Sequence, residues 1–377
     1  MTSNEIIKYI EDWAPKDIAW QKDNPGLQVG SLGNKVTNIF LCLELSEKAL
    51  EEAIKKKSNF IFTHHPLIFQ PLKRIDTQND RTSRLIEQLL KHDITLYSAH
   101  TNLDFTLNGV SFQLAKILKL RRIKFLEFAE SNQYKLVVFV PAENLKEVSG
   151  AIFASGGGII GEYKDCSFRL QGQGTFLGSE NSTPAIGQAG KFEQVEEVRL
   201  EIIVEKWKLN KVLDAMKRVH PYEEPAFDIY PLVNKNVNYG FGAVGELDEK
   251  MKEKDFLEYV SRCLNANNLR YTRGSGKEIK KVALCGGSGS DLIPSAIASG
   301  ADAFVTADVK YHSFQDAEGK ILLIDAGHYE TEFPVLEEVK RRLEEFLRKN
   351  SSDHKVYIYS DTTNPVYFLN NKGDKAN

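Results

Sequence analysis

The first 128 residues show two alternating hydrophobic patterns. Short runs of β-branched and aromatic residues predict buried strands at residues 37–43, 60–62 and 94–98. Around these runs, apolar residues recur at helical spacing, which predicts helices at residues 4–13, 46–56, 83–91 and 110–118, with Ser46 as an N-cap. Strands that alternate with helices in this way predict a parallel sheet.

The pattern changes near residue 134 and changes back near residue 236. Strands are predicted at residues 134–140, 168–175, 198–204 and 226–232, with helices at 143–154 and 210–218 and a loop at 178–190. This order, two strand-helix-strand halves, is that of a ferredoxin-like unit. Beyond residue 236, helices are predicted at 255–264, 290–299, 311–318 and 332–346, and strands at 281–285, 303–306, 321–325 and 356–360.

The predicted fold class is α/β, with two halves of a parallel or mixed sheet and flanking helices, split by a ferredoxin-like α+β insert. Residues 1–128 and 236–377 are expected to form the two halves of one body, and residues 129–235 are expected to form the insert. The polar tail at residues 370–377 is expected to be disordered.

Side chains of the types that bind metals follow three of the predicted strands. They are His64 and His65 after strand 60–62, His100 and Asp104 after strand 94–98, and His328 and Glu332 after strand 321–325. Pro66 cannot continue a strand ladder, so the chain must turn at the first histidine pair. If the three strands are neighbours in one parallel sheet, their carboxyl ends meet at one crevice. Imidazoles and carboxylates brought together there predict a metal site.

This set of donors is too large for one ion. A catalytic zinc uses about three protein ligands, whereas two cations about 3.5–4 Å apart, bridged by a carboxylate, would use the whole set. Either Asp104 or Glu332 can be the bridge, and His100 is a sixth candidate ligand. If residues 331 and 332 open the long helix, His328 and Glu332 lie on one side of its first turn. Without a cysteine the donors suit Zn²⁺, Fe²⁺ or Mn²⁺, and zinc is expected first.

Two further loops also follow predicted strands. Residues 285–290 read C-G-G-S-G-S, and their backbone N–H groups can cradle a phosphate or form a tight turn from strand to helix. Lys310 and His312 follow strand 303–306 and can contact a substrate, although His312 can equally cap its helix. In the insert, His220 belongs to H-P-Y-E-E-P, which a turn explains better than a metal site does.

Composition and charge exclude several classes of protein. Of the 377 residues, 42% are hydrophobic and 27% are charged, and the formal net charge of −3 provides no basic field for nucleic acid. Without a leader-like start or a run of about 18 apolar residues, a soluble cytoplasmic protein with no membrane partner is expected. The cysteines, Cys42, Cys166, Cys263 and Cys285, are far apart, which predicts reduced thiols.

Six motifs, in this order, resemble those of the GTP cyclohydrolase 1 type 2 homolog family, also called NGG-one-interacting-factor-three-like. They are N-P-G-L-Q-V-G at residues 24–30, T-H-H-P-L-I-F, A-H-T-N-L-D, G-G-S-G, D-V-K-Y-H and G-H-Y-E-T-E. The middle segment, with H-P-Y-E-E-P, is similar to the PII- or CutA-like insert of longer bacterial members. This chain departs from the family at Glu44, where Asp is expected, and at Ala307, where Gly is expected. The first departure leaves open whether that acid supports a metal ligand.

The resemblance implies a two-metal site formed by His64, His65, Asp104, His328 and Glu332, the residues that strand position also indicates. It also implies a toroidal homohexamer, a trimer of dimers, whose metal sites face an inner cavity. The activity it implies is that of a metal-dependent hydrolase of the GTP cyclohydrolase type, acting on a nucleotide or a related heterocycle. We expect a water acidified by two cations to attack a ring carbon while His100 or His312 moves protons.

Two other functions fit the same residues. Hydrolysis of a phosphoester uses the same ions. A non-catalytic metal-binding or regulatory ring, with an insert that senses a small ligand, is the alternative from another class. Metal-loaded protein without turnover, together with ligand binding to residues 134–232, favours that alternative.

Overall fold

The computed structural model describes residues 1–266 and 268–368. The chain forms two compact units. The first unit combines Met1–Glu127 with the described part of Tyr239–Asn377, and the second, here called the insert, is Phe128–Asn238. The tail at residues 370–377, expected to be disordered, lies outside the described residues. No described helix is long and apolar enough to span a membrane.

The described strands and helices are numbered in chain order. The strands are β1 (Gly26–Val29), β2 (Ile39–Cys42), β3 (Phe60–Thr63), β4 (Thr95–Ser98), β5 (Arg121–Ala129), β6 (Gln133–Pro141), β7 (Phe168–Leu177), β8 (Phe192–Glu205), β9 (Phe227–Pro231), β10 (Asn236–Met251), β11 (Arg270–Tyr271), β12 (Ile279–Ser288), β13 (Ala303–Ala307), β14 (Leu322–Asp325) and β15 (Val356–Ile358). The α-helices are α1 (Ser3–Trp13), α2 (Glu47–Lys55), α3 (Arg81–Lys91), α4 (Thr101–Asp104), α5 (Val110–Ile117), α6 (Leu145–Ala154), α7 (Leu209–Val219), α8 (Glu253–Leu264), α9 (Ile293–Ala298), α10 (Tyr311–Ala317), α11 (His328–Glu332) and α12 (Val335–Lys349). Short 3-10 helices occupy Lys16–Ile18, Ala142–Asn144, Lys206–Lys208 and Ser290–Leu292.

A five-stranded sheet forms one part of the first unit. Its order is β1-β4-β3-β2-β15, in which β1 is antiparallel to β4 and the other neighbours are parallel. Alternate residues of a strand point to opposite faces. Ile39 and Leu41 therefore pack with α1 and α12, while Phe40 and Cys42 pack with α2 and α3. Because both faces are covered, these strands read as the continuous apolar runs seen in the sequence.

A six-stranded sheet, of order β11-β14-β13-β12-β10-β5, forms the other part of the first unit. Strands β12, β13 and β14 are parallel, whereas β10 and β11 are antiparallel to their neighbours β12 and β14. The condition that the three histidine-bearing strands be neighbours in one sheet is not met, because β14 lies in a different sheet from β3 and β4. The edges of the five-stranded sheet are β1 and β15, which pairs with β2 through Val356 opposite Ile39, while β14 pairs with β13 and β11.

The long strand β10 was not expected from the sequence. Its hydrophobic alternation is interrupted by glycines, among them Gly240 and Gly245. A Cβ at Gly240 would lie closer than 3.0 Å to Phe125, and one at Gly245 would lie 2.9 Å from Cβ of Leu120. Close packing against the segment that contains β5 therefore requires glycine and at the same time hides the strand pattern.

The insert contains a four-stranded antiparallel sheet of order β7-β8-β6-β9. In chain order its elements are β6, α6, β7, β8, α7 and β9. Val148 and Ile152 of α6, with Val212 and Met216 of α7, pack on apolar residues of β6 and β8. The two helices thus cover one face of this sheet.

Candidate metal centre

The first histidine pair lies where β3 leaves the five-stranded sheet. Thr63, the last residue of β3, shares a hydrogen bond of 2.6 Å between its Oγ1 and Oγ of Ser98 at the end of β4. His64 is fully buried, and its Nδ1 donates to the carbonyl of Ala99 at 2.8 Å. His65 is only partly buried, and its backbone N–H donates to the carbonyl of Leu43 at 2.9 Å. The strand ends therefore fix the imidazole of His64 and the main chain of His65.

Asp104 and His100 come from the adjacent strand end, after β4. This segment forms the one-turn helix α4, with His100 at its N-cap and Asp104 as its last residue. Oδ1 of Asp104 lies 3.6 Å from Nε2 of His64. The His100 ring lies 5.3 Å, between centroids, from the rings of both His64 and His65.

His328 and Glu332 reach the same place from the six-stranded sheet. They are the first and last residues of α11, which follows β14, and not part of the long helix expected at residues 332–346. That expectation is wrong because Pro334, the N-cap of α12, separates the two helices. Across α11, Nε2 of His328 lies 3.0 Å from Oε1 of Glu332.

Glu332 is the centre of the cluster. Its Oε1 lies 3.0 Å from Nε2 of His328 and 3.8 Å from Nε2 of His64, and its Oε2 lies 3.0 Å from Nε2 of His65. The Nε2 atoms of His65 and His328 are 3.4 Å apart. His65, His328 and Glu332 form one group able to hold a cation, and His64, His65 and His100 form a second.

The outer nitrogen, Nδ1, of every imidazole in the cluster is held by an oxygen. The partners are Ala99 O for His64 at 2.8 Å, Glu44 Oε1 for His65 at 3.0 Å, Asp23 Oδ1 for His100 at 2.8 Å and Asp308 Oδ2 for His328 at 2.6 Å. Such partners fix the ring orientation and tautomer of metal-binding histidines. The ring nitrogen that remains for a cation is therefore Nε2 in each histidine.

Burial and neighbouring charges perturb the cluster strongly. Burial, and then the charge of Glu332, raise the pKa of Asp104 well above its usual value. Burial also opposes ionisation of Glu332, but His64, His328 and His65 outweigh it and hold the pKa of Glu332 well below its usual value. Burial opposes the charged form of His65, yet hydrogen bonds to Glu332 and Glu44 raise its pKa to about 10. The cluster therefore concentrates negative charge that protons on imidazoles balance, and a cation can replace them.

Three buried atoms of the cluster lack hydrogen bonds. Among the described residues, these atoms are Nε2 of His64, Oδ1 of Asp104 and Oε2 of Glu332. A buried polar atom without a partner costs about 1–3 kcal/mol. Because all three atoms are of metal-binding types, and those of His64 and Asp104 lie 3.6 Å apart, the residues fit a divalent cation.

The glycine-rich segment at residues 286–289, at the end of β12, lines this cluster. The backbone N–H of Gly287 donates to Oγ1 of Thr331 at 3.0 Å, and that of Gly286 donates to Oγ of Ser111 at 3.3 Å. Two of the donors considered for a phosphate are therefore used within the protein. Gly286 and Gly287 belong to the irregular end of β12, where the pairing with β13 shifts register, and a Cβ on Gly287 would overlap the Glu332 carboxylate.

The remaining histidines singled out in the sequence lie elsewhere. His312 is exposed, and its Nδ1 lies 3.1 Å from Oε1 of Gln315; within the described residues, no hydrogen bond or ion pair joins it to the cluster. Lys310 is exposed at the N-cap of α10. In the insert, His220 donates from Nε2 to the carbonyl of Phe139 at 3.0 Å and accepts from the N–H of Tyr222 at 3.1 Å. Both ring nitrogens of His220 are thus engaged in a turn.

Sequence reasoning missed one residue of the site and undervalued another. Asp23 immediately precedes the N-P-G-L-Q-V-G motif, and this position was the available signal. Glu44, the family departure, does support a metal-type ligand, because it accepts from His65 and also from Thr363. Long-range contacts of this kind leave no local pattern in a sequence.

Comparisons with known proteins agree over nearly the full length. The profile of the Duf34/NIF3 (NGG1p interacting factor 3) family matches residues 1–365. A protein of Halalkalibacterium halodurans named GTP cyclohydrolase 1 type 2 homolog is 38% identical over 367 residues, which cover 97% of this chain and 98% of that protein. A Bacillus subtilis protein of the same name is 38% identical over 371 residues, covering 98% and 99%. The crystal structure of a Bacillus cereus protein related to NIF3 is 36% identical, with a TM-score of 0.86 and coverage of 98% and 99%. The resemblance drawn from the motifs is thereby confirmed, and the chain belongs to the Duf34/NIF3 family.

Proposed function

We propose that the first unit holds a dinuclear metal centre. One ion would be bound by His64, Asp104 and Glu332, and the other by His65, His328 and Glu332. Metal bonds of about 2.0–2.2 Å at tetrahedral angles place two ligands of one ion about 3.3–3.6 Å apart. The separations of 3.0–3.8 Å between these donors bracket that value.

The observation that carries the proposal is the placement of the Glu332 carboxylate. Its two oxygens face different histidines, with Oε2 toward His65 and Oε1 toward His328 and His64. A carboxylate placed between two sets of donors is a bridging ligand. Glu332 would therefore be the ligand shared by the two ions, and Asp104, near His64, would hold one ion only.

We propose that the centre is hydrolytic, with zinc as the first metal to test. Two such cations supply Lewis-acid stabilisation of charge and acidify water. His100 is the proposed proton carrier, because it lies beside the cluster and Asp23 holds its Nδ1. His312 is the weaker candidate because it is exposed and, among the described residues, has no hydrogen bond or ion pair with the cluster. A nucleotide or related heterocycle as substrate is supported by the printed name of the relatives.

Three further assignments are part of the proposal. The insert order β7-β8-β6-β9, with one helix after β6 and one after β8, supports a ferredoxin-like, PII/CutA-like unit at residues 129–235 between two halves at residues 1–128 and 236–377. The homohexamer, a trimer of dimers, is supported by the family resemblance. A cytoplasmic location is supported by the widely spaced cysteines, none of which is in a disulfide.

Elemental analysis combined with a hydrolysis screen tests the proposal. Purified protein should contain two metals per chain, and added Zn²⁺, Mn²⁺ or Fe²⁺ should support turnover of a nucleotide or phosphoester. His64→Ala should lose metal and turnover, while His92→Ala, which changes an exposed histidine at the end of α3, should keep both. Protein without metal would overturn the centre. Two metals without turnover would favour the non-catalytic metal-binding or regulatory ring.

A further inference from the structure

The insert contains a cavity of about 900 Å³ on the face of its sheet opposite the helices. Leu136, Val138 and Leu200 face α6 and α7, so the alternate residues face the other way. On that opposite face, Leu170, Arg199 and Phe139 form a row across β7, β8 and β6. Gly172 lies opposite Glu197 in the next row. This face forms the floor of the cavity.

Glycine leaves part of the floor open. A Cβ on Gly172 would meet no atom within 4 Å, whereas one on Gly174 would overlap the carboxylate of Glu197. Glycine in a strand interior weakens the strand, and it often marks a place where a ligand or another backbone approaches closely. The cavity therefore extends down to the backbone of β7 at Gly172.

Two segments wall the cavity and are tied to each other. One is the loop that follows β7, closed by a hydrogen bond of 3.0 Å from Gly190 N to Gly178 O. The other is the H-P-Y-E-E-P turn, whose Glu223 accepts from the N–H of Thr183 in that loop at 2.9 Å. Tyr222 of the turn donates from its hydroxyl to Oε1 of Glu197 at 2.8 Å. The loop and the turn therefore form two connected walls of the cavity.

The lining is acidic and aromatic. Among the described lining residues, Glu197, Glu223 and Glu224 oppose a single base, Arg199. The charge of Arg199 is also compensated outside the lining, because its Nε lies 3.0 Å from Oε1 of Glu201. Phe139, Phe176 and Tyr222 add apolar surface and aromatic rings, which attract cations as well as apolar groups. Phosphates and carboxylates are disfavoured by the same charges.

We propose that this cavity binds a small organic cation, an amine attached to an apolar body. The ammonium group lies at Glu197, and the apolar body lies on Leu170 and Phe139. The volume falls within the range of about 300–1,000 Å³ that is typical of small-molecule sites. This site does not depend on the proposed metal centre.

Binding of three matched probes to the full-length protein tests the proposal. They are 3-phenylpropylamine, the neutral 3-phenylpropan-1-ol and the anionic 3-phenylpropanoate, with dissociation constants measured by calorimetry and by saturation-transfer NMR. The amine should bind saturably, the alcohol should bind about fivefold more weakly, as expected for loss of a partly exposed ion pair, and the propanoate should not bind.

Three variants test whether the amine binds in this cavity. Gly172→Val fills the open floor with a good strand former and should abolish binding of the amine without lowering the thermal stability of the insert. Glu197→Gln keeps an acceptor for Tyr222 and should weaken binding of the amine about fivefold. Gly150→Ala, at an open position on α6, is the matched control and should bind as the unchanged protein does. Absence of saturable amine binding, binding of the propanoate as tight as that of the amine, or full amine binding by Gly172→Val would each overturn the proposal.

Discussion

Gly287 offers the sharpest test of the proposed centre, because it touches the bridge without being a ligand. Its φ is +62°, a conformation that favours glycine. A Cβ there would lie closer than 3.0 Å to Oε1 of Glu332 and 3.4 Å from Cε1 of His328. The backbone cannot easily withdraw, since Gly287 N donates to Thr331 and Gly287 O accepts from Thr306, both at 3.0 Å. In Gly287→Ala the carboxylate must therefore move.

Gly287→Ala is expected to lower two quantities, the free energy of unfolding and the affinity for metal. An alanine in the left-handed region costs about 1–2 kcal/mol, and Gly276→Ala pays the same cost at φ +76° with no atom within 4 Å. Because a carboxylate at the end of a flexible side chain can yield, we expect little further loss of stability at Gly287. Relief of the overlap requires a shift of about 1 Å, whereas metal sites tolerate about 0.2 Å. Metal affinity should therefore fall by at least about 10–100-fold.

Competition with a graded chelator measures that affinity, and thermal unfolding of the metal-free proteins measures the stability. Gly287→Ala and Gly276→Ala should lose similar stability, while only Gly287→Ala loses metal. If Gly287→Ala retains both ions at the affinity of Gly276→Ala, the position assigned to the Glu332 bridge is wrong.

Four further variants test three separate points. Glu332→Ala should lose both ions and Asp104→Ala only the ion near His64, so equal metal contents in elemental analysis would contradict the bridge assignment. His220→Ala should keep the full metal content, because its nitrogens serve a turn in the insert; metal loss there would show a second site. Burial opposes ionisation of Asp23, but hydrogen bonds from His100 and Thr101 lower its pKa to about 2. This stabilisation is present above the unfolded pKa near 4 and is lost as pH falls through 2. In Asp23→Asn, the loss of unfolding free energy as pH falls from near 4 to 2 should therefore be smaller by about 1 kcal/mol, after allowance for solvent screening. Urea unfolding of metal-free protein at each pH measures this loss.

Local patterns in the sequence were enough to find the proposed ligands but not to find the sheets. His64 and Asp104 follow short apolar runs that end at the edge of a buried sheet, and such ends are visible within about ten residues. The separation of β14 from β3 depends on pairings between distant segments, such as Val356 with Ile39. The break between α11 and α12 had a local signal in Pro334, which the charged periodicity of the following helix obscured.

The orientation of the imidazoles shows why part of the site escapes sequence reasoning. A histidine placed at a strand end can present either ring nitrogen, and its outer partner decides which one faces the metal. Asp23 lies 77 positions from His100, and Glu44 lies 21 positions from His65. No spacing rule links such pairs, so they become visible only after folding. Glu44, at a position where the resemblance leads us to expect Asp, reaches Nδ1 of His65 at 3.0 Å. An outer partner of this kind is defined by its reach and charge after folding, whereas the proposed ligands follow strand ends that are visible in the sequence.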